Sequence, residues 1–186
     1  MSKSVLILSG SPNLNSRLYG VLDYAAQLLA ARDVNLNRLD VISLPAEALI
    51  FGKFDDPAVR EANARVEQTD ALIIASPVYK ASFTGVLKTY LDLLPQGGLA
   101  GKTITPIFIG GTIAHLLSID YSLKPVLSAL GARHFTNAVY AVDQQVVRTE
   151  TASGNVFELQ EELKARIISV VDELSAELGL QLQKVV

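Results

Sequence analysis

Short unbroken apolar runs alternate along the chain with longer segments whose apolar residues recur every three or four positions. Val5-Leu6-Ile7-Leu8 and Ala71-Leu72-Ile73-Ile74-Ala75 read as strands covered on both faces, because neither shows the alternation of a half-exposed strand. Residues 34–39 alternate and read as a second strand; residues 103–109 and 135–142 read as the fourth and fifth. Between them, residues 16–31 place Leu18, Val21, Leu22, Ala25, Leu28 and Leu29 at helical spacing. Further helices are predicted over residues 84–94, 113–130 and 156–178, the last two closing near Gly131 and Gly179, where glycine takes a left-handed cap. Pro45 and Pro57 bracket an irregular stretch, and Pro57 opens a helix reaching about Gln68.

Alternating strands and helices in one chain of 186 residues predict an α/β fold in three layers. Its centre is a five-stranded parallel sheet in the flavodoxin-like order 2-1-3-4-5. One domain is expected over residues 1–179, with residues 180–186 a short, weakly ordered tail. Such sheets bind ligands beyond the carboxyl ends of their strands, near the point where strand order reverses. Three loops fall there.

The first, Ser9-Gly10-Ser11-Pro12-Asn13-Leu14-Asn15-Ser16-Arg17, meets a helix N-terminus. Unpaired amides and the helix dipole favour an anion at that place, with hydroxyls from Ser11 and Ser16 and a charge from Arg17. The same residues read equally well as a plain N-cap at Asn15 or Ser16. A single glycine excludes the dinucleotide fingerprint and suits a mononucleotide phosphate better. The second loop, Ser76-Pro77-Val78-Tyr79-Lys80-Ala81-Ser82-Phe83, either lines a flat heterocycle or is an ordinary turn over the sheet edge. In the third, Gly110-Gly111-Thr112 lets a ligand approach the backbone. His115, just beyond, is either a ligand contact or polar surface, and His134 has no motif around it. Gly101-Lys102-Thr103 imitates the end of a phosphate-binding P-loop, but it precedes a strand and lacks the first glycine.

Composition narrows the chemistry. The chain has no cysteine and two histidines, which removes disulfides, thiolate nucleophiles, iron–sulfur clusters and, in practice, a metal site. A net charge of −3 argues against a nucleic-acid surface. No run approaches the roughly 20 apolar residues of a membrane span, and no signal peptide is evident, so a cytoplasmic protein is expected. No nucleophile–base pair and no G-x-S-x-G elbow is present. A nucleotide-like edge without acid–base groups implies that a cofactor carries the reaction and that no side chain is catalytic in the covalent sense.

Two long stretches, residues 76–95 (SPVYKASFTGVLKTYLDLLP) and 110–130 (GGTIAHLLSIDYSLKPVLSAL), resemble the NADPH-dependent FMN reductase family. Within it they are most similar to the reductase component of two-component alkanesulfonate monooxygenases. The similarity runs from Val5 to about Val147. It implies reduction of FMN by NADPH or NADH, with reduced FMN passing to a flavin-dependent monooxygenase. The resemblance places the FMN phosphate at Ser11, Asn13, Ser16 and Arg17. It lays the isoalloxazine along Pro77, Val78, Tyr79 and Lys80, closed by Gly110, Gly111, Thr112 and His115. Family loops often carry arginine where this chain has Asn13, which leaves Arg17 as the loop's charge. The same resemblance implies a π-bulge at Tyr121 in a subunit interface and puts Lys88 and Asp92 on a contact helix of a dimer or tetramer. Two other readings stay open: a quinone or azo reductase that retains FMN, and a non-catalytic electron carrier.

Overall fold

A computed structural model describes residues 3–152 and 154–180. Its centre is a parallel sheet of β1 (Ser4–Ser9), β2 (Asn35–Asp40), β3 (Ala71–Tyr79) and β5 (Thr103–Gly110), in the order β2-β1-β3-β5. The fifth place, beside β5, is shared by two short parallel strands, β6 (His134–Phe135) and β7 (Val139–Val142). The five-place parallel core is therefore as the apolar pattern predicts. The expected single strand over 135–142 is split where Thr136 turns its hydroxyl onto Thr105 Oγ1 at 2.9 Å.

Both faces of the sheet are covered, which is why its strands are apolar without alternation. Val5, Ile7, Ala71 and Ile73 pack beneath α1 (Leu18–Ala30) and α6 (Glu161–Glu177). Their neighbours Leu6, Leu8, Leu72 and Ile74 face the other way, among Leu87, Tyr90 and Leu91 of α4 (Gly85–Leu91) and Leu127 of α5 (Lys124–Ala129). The stretch between Pro45 and Pro57 holds one short helix, α2 (Ala46–Ile50). α3 (Pro57–Glu67) begins at Pro57, where Asp56 Oδ1 accepts the Ala58 N–H at 2.9 Å. Among the described residues no helix is long and apolar enough to cross a membrane.

Three expectations need correction. Residues 156–159 do not begin a helix: β8 (Val146–Thr151) and β9 (Gly154–Leu159) pair antiparallel beside the main sheet, and α6 starts at Glu161. Asn155, Phe157 and Leu159 turn inward while Val156 and Glu158 stay exposed, a period of two. The predicted helix over 113–130 is broken into a 3₁₀ turn (Ile113–His115), a π turn (Ile119–Leu123) and α5. Pro125 lacks an N–H and cannot continue a regular ladder; Lys124 N–H instead reaches back five residues to Ile119 O. A two-residue strand, β4 (Ser82–Phe83), folds back on β3 inside the second loop. Of the expected tail, residues 181–186 lie outside the described residues.

Candidate active site

The three loops lie at the carboxyl edge of the sheet, and hydrogen bonds join the first two there. Gly10 N–H donates to Ala75 O at 2.8 Å, tying the end of β1 to β3. Thr84 completes the knot. It is buried at the N-terminus of α4, donates its hydroxyl to Gly10 O at 2.5 Å and accepts the Leu87 N–H at 3.1 Å. Its own N–H donates to Ser76 Oγ at 3.0 Å, and Ser76 donates onward to Pro77 O at 2.8 Å. The first and second loops thus share one buried hydroxyl. Gly10 is required by the same approach, since a Cβ there would stand 2.4 Å from Leu87 Cβ.

In the first loop, Ser11 is buried and its hydroxyl donates to Asn13 O at 2.8 Å. Asn13 Oδ1 accepts the Asn15 N–H at 2.8 Å, and Ser16 Oγ accepts the Leu18 N–H at 3.2 Å at the start of α1. The amides of Leu14 and Arg17 make no hydrogen bond among the described residues. Beneath the loop, Tyr19 donates to Asp40 Oδ1 at 2.7 Å under the Arg38 guanidinium, 5.5 Å from the ring. Burial pushes its phenol up to about 12, helped by the Asp40 carboxylate, so Tyr19 stays a neutral strut.

In the second loop, Pro77 is buried and Val78 half-buried, while Tyr79 and Lys80 are exposed. Lys80 and Ala81 both take the left-handed conformation, φ 51° and 62°, in the tight turn between β3 and β4. Two successive non-glycine residues there are strained, and the packing of β4 against the π turn holds them. In the third loop, Gly110 is buried with Tyr140 crossing behind it: a Cβ on Gly110 would meet Tyr140 Oη at 2.4 Å. Tyr140 donates to Thr112 O at 2.8 Å, and burial raises its phenol. Gly111 is open, with Asp143 Oδ2 the nearest atom to a built Cβ at 3.8 Å. His115 closes the 3₁₀ turn and lines a cavity of about 300 Å³ with Ala81, Leu117, Ser118 and Tyr121. The larger cavity, about 910 Å³, is elsewhere, along α3 towards Lys102, whose Nζ donates to Glu67 O and Thr69 O at the opposite edge.

The structure therefore brings together the residues of the three loops. Lys88 and Asp92 form an exposed ion pair at 2.5 Å at the end of α4. Tyr121 stands in the π turn, 80% exposed. Sequence reasoning missed Thr84 as the knot, Tyr140 behind Gly110, and Arg148, which reaches the first loop from β8. The first two sit inside elements whose apolar pattern was read correctly but whose polar atoms have no local signature. The β-branched run Val146-Val147-Arg148-Thr149-Glu150-Thr151 was the signal available for the third.

A parallel sheet with a small-residue loop at a helix N-terminus, an exposed aromatic turn and a glycine pair at its carboxyl edge is a flavodoxin-like architecture. The residues present fit FMN: free amides at the loop for a phosphate, and an open glycine backbone facing a turn for a flat ring. A family model described as NADPH-dependent FMN reductase matches residues 4–146. An FMN reductase (NADPH) of Escherichia coli K12 is 46% identical over 77% of this chain and 75% of its own length. One from Pseudomonas putida is 47% identical over 78% and 74%. The crystal structure of an NADH:FMN oxidoreductase in its apo form superposes with a TM-score of 0.82 at 34% identity, over 98% of this chain and 92% of that one. The chain belongs to the NADPH-dependent FMN reductase family. It is accordingly an oxidoreductase that works with FMN and a reduced nicotinamide nucleotide.

Proposed function

We propose that this enzyme treats FMN as a substrate and releases it in reduced form to a separate flavin-dependent monooxygenase of the sulfonate-sulfur type, in the cytoplasm. The observation that carries the reading is the openness of the edge. Tyr79 is 53% exposed, and Lys80, Gly111 and Thr112 are exposed with it, so the second and third loops present an open edge. Ser11, Asn13, Ser16 and Arg17 hold the phosphate, largely through backbone amides at the start of α1. Pro77, Val78, Tyr79 and Lys80 support one side of the ring, with Gly110, Gly111, Thr112 and His115 on the other. Bound FMN supplies the two-electron acceptor for the reduced nicotinamide. The protein's residues align the two rings and keep the acceptor edge clear of side chains.

The same reading makes the enzyme a homo-oligomer. Ile113, Leu116, Leu117 and Tyr121 expose 46–80% of their surface along one irregular segment. Such a contiguous apolar patch suits a second copy. The Lys88–Asp92 pair adds contact specificity at most, since exposed pairs contribute about 0–1 kcal/mol. Two measurements test the proposal. Protein loaded with FMN and passed through a desalting column is expected to lose its flavin, and light scattering is expected to give a mass of two or four chains that falls on Tyr121→Ala. Flavin that stays bound through the column and turns over a quinone or azo dye places the enzyme among flavin-retaining reductases instead. A monomer at all concentrations overturns the oligomer.

A further inference from the structure

The β8–β9 pair stands outside the main sheet, yet it is docked with care onto the first loop. Phe157 packs on α1 at Gly20, where a Cβ would stand 2.5 Å from Phe157 Cβ and 3.2 Å from Val146 Cγ1. Only glycine allows that approach. Three side-chain bonds then join the pair to the loop. Arg17 Nε donates to Val146 O at 3.0 Å, Asn155 Nδ2 donates to Asn15 Oδ1 at 2.8 Å, and Arg148 Nη1 donates to Asn15 O at 2.9 Å. Residues 9–16 themselves contain no basic side chain, so any charge beyond Arg17 must arrive from another element.

We infer that Arg148 is a second cationic binding residue for the FMN phosphate, delivered from β8 to the outer rim of the Ser11–Arg17 loop; this rests on reading that loop as the phosphate cradle. A guanidinium offers five donors in a rigid fork. One donor on Asn15 O holds the fork against the loop and leaves further donors on the same group. The remaining neighbour is Glu150, whose exposed carboxylate lies 3.4 Å from Nη2. That long contact between partly exposed groups is readily exchanged for a phosphate dianion, which makes shorter and stronger charge-assisted bonds. Arg17 is anchored through Nε to Val146 O of the same strand, so both arginines stand where the hairpin meets the loop. Arg148 then sets preference for a phosphorylated flavin over riboflavin.

The test is titration of flavin-free protein with FMN and with riboflavin, followed by flavin fluorescence, for the wild type and for Arg148→Gln, Arg148→Lys and Arg17→Gln. Arg148→Gln is expected to weaken FMN about tenfold or more, as for loss of a charge-assisted bond, and to leave riboflavin within about twofold. Arg148→Lys is expected to recover part of the loss, and the salt dependence of FMN binding to become shallower in Arg148→Gln. Equal weakening of FMN and riboflavin reduces Arg148 to a staple between hairpin and loop and overturns the inference. So does an unchanged FMN preference in Arg148→Gln while Arg17→Gln loses it, which leaves the cradle standing. A wild type that binds riboflavin as tightly as FMN overturns the cradle itself, and the inference with it.

Discussion

Replacing Thr84 by valine removes one hydroxyl while keeping the side chain's shape, at the point where two loops and a helix start share that hydroxyl. Two losses follow. The N–H of Leu87 loses its cap, which costs about 1 kcal/mol at a typical N-terminus. Gly10 O loses its donor at a buried position, and an orphaned buried carbonyl costs about 1–3 kcal/mol. The sum is about 2–4 kcal/mol, a sizeable share of a domain's net stability. Thr84→Ser keeps the hydroxyl and removes one methyl, a loss of about 1 kcal/mol. Urea unfolding followed by circular dichroism is expected to rank wild type above Thr84→Ser above Thr84→Val. With a slope of about 2 kcal/mol per molar, the valine variant's midpoint falls by about 1–2 M. FMN affinity falls with it, because Gly10 begins the first loop. A valine variant within about 0.5 kcal/mol of wild type, or a serine variant as damaged as the valine one, would refute the knot.

Two smaller predictions follow from other contacts. Ala81→Gly removes one strained left-handed residue from the turn after β3 and is expected to raise stability by about 0.5–1 kcal/mol in the same urea assay, the unfolded chain's extra freedom offsetting part of the relief. Asp70 is partly buried, which alone would raise its carboxyl, but the Ser4 N–H at 2.8 Å, the Lys3 ammonium and the Ser4 hydroxyl hold it below the usual range. A carboxyl lowered in the folded state stabilises above its unfolded value and loses that contribution as pH falls through the folded value. The stability gap between wild type and Asp70→Asn is therefore expected to be full at about pH 6 and to close below about pH 4, as calorimetry at the two pH values would show.

The sheet was legible because both of its faces are buried: Val5-Leu6-Ile7-Leu8 and residues 71–75 are apolar throughout, and a parallel strand needs that. The three loops were legible as places, since the strands' carboxyl ends are fixed once the strand order is. What joins them was not. Thr84 looks like any helix cap until the fold sets Gly10 O 2.5 Å from its hydroxyl, a contact across 74 positions of sequence. The segment 113–130 reads as one helix because its apolar spacing is helical, and only the missing N–H of Pro125 argues otherwise. Residues 156–159 read as part of the following helix because Val156 and Leu159 sit three apart. The competing period of two, with Phe157 lodged on Gly20, is decided by tertiary contact. That misreading also hid Arg148, whose nearness to Asn15 spans 133 positions.

This enzyme moves electrons from a reduced nicotinamide to FMN, and the proposal is that the three loops hold the FMN. The most direct measurement is absorbance at the reduced-nicotinamide band near ~340 nm, with flavin-free protein and NADPH, then NADH, in the presence and absence of added FMN. Oxidation is expected to need FMN and saturate with it, and to fall in Thr84→Val in step with FMN affinity. Oxidation of neither nicotinamide at any FMN concentration, by protein that binds FMN, would contradict it.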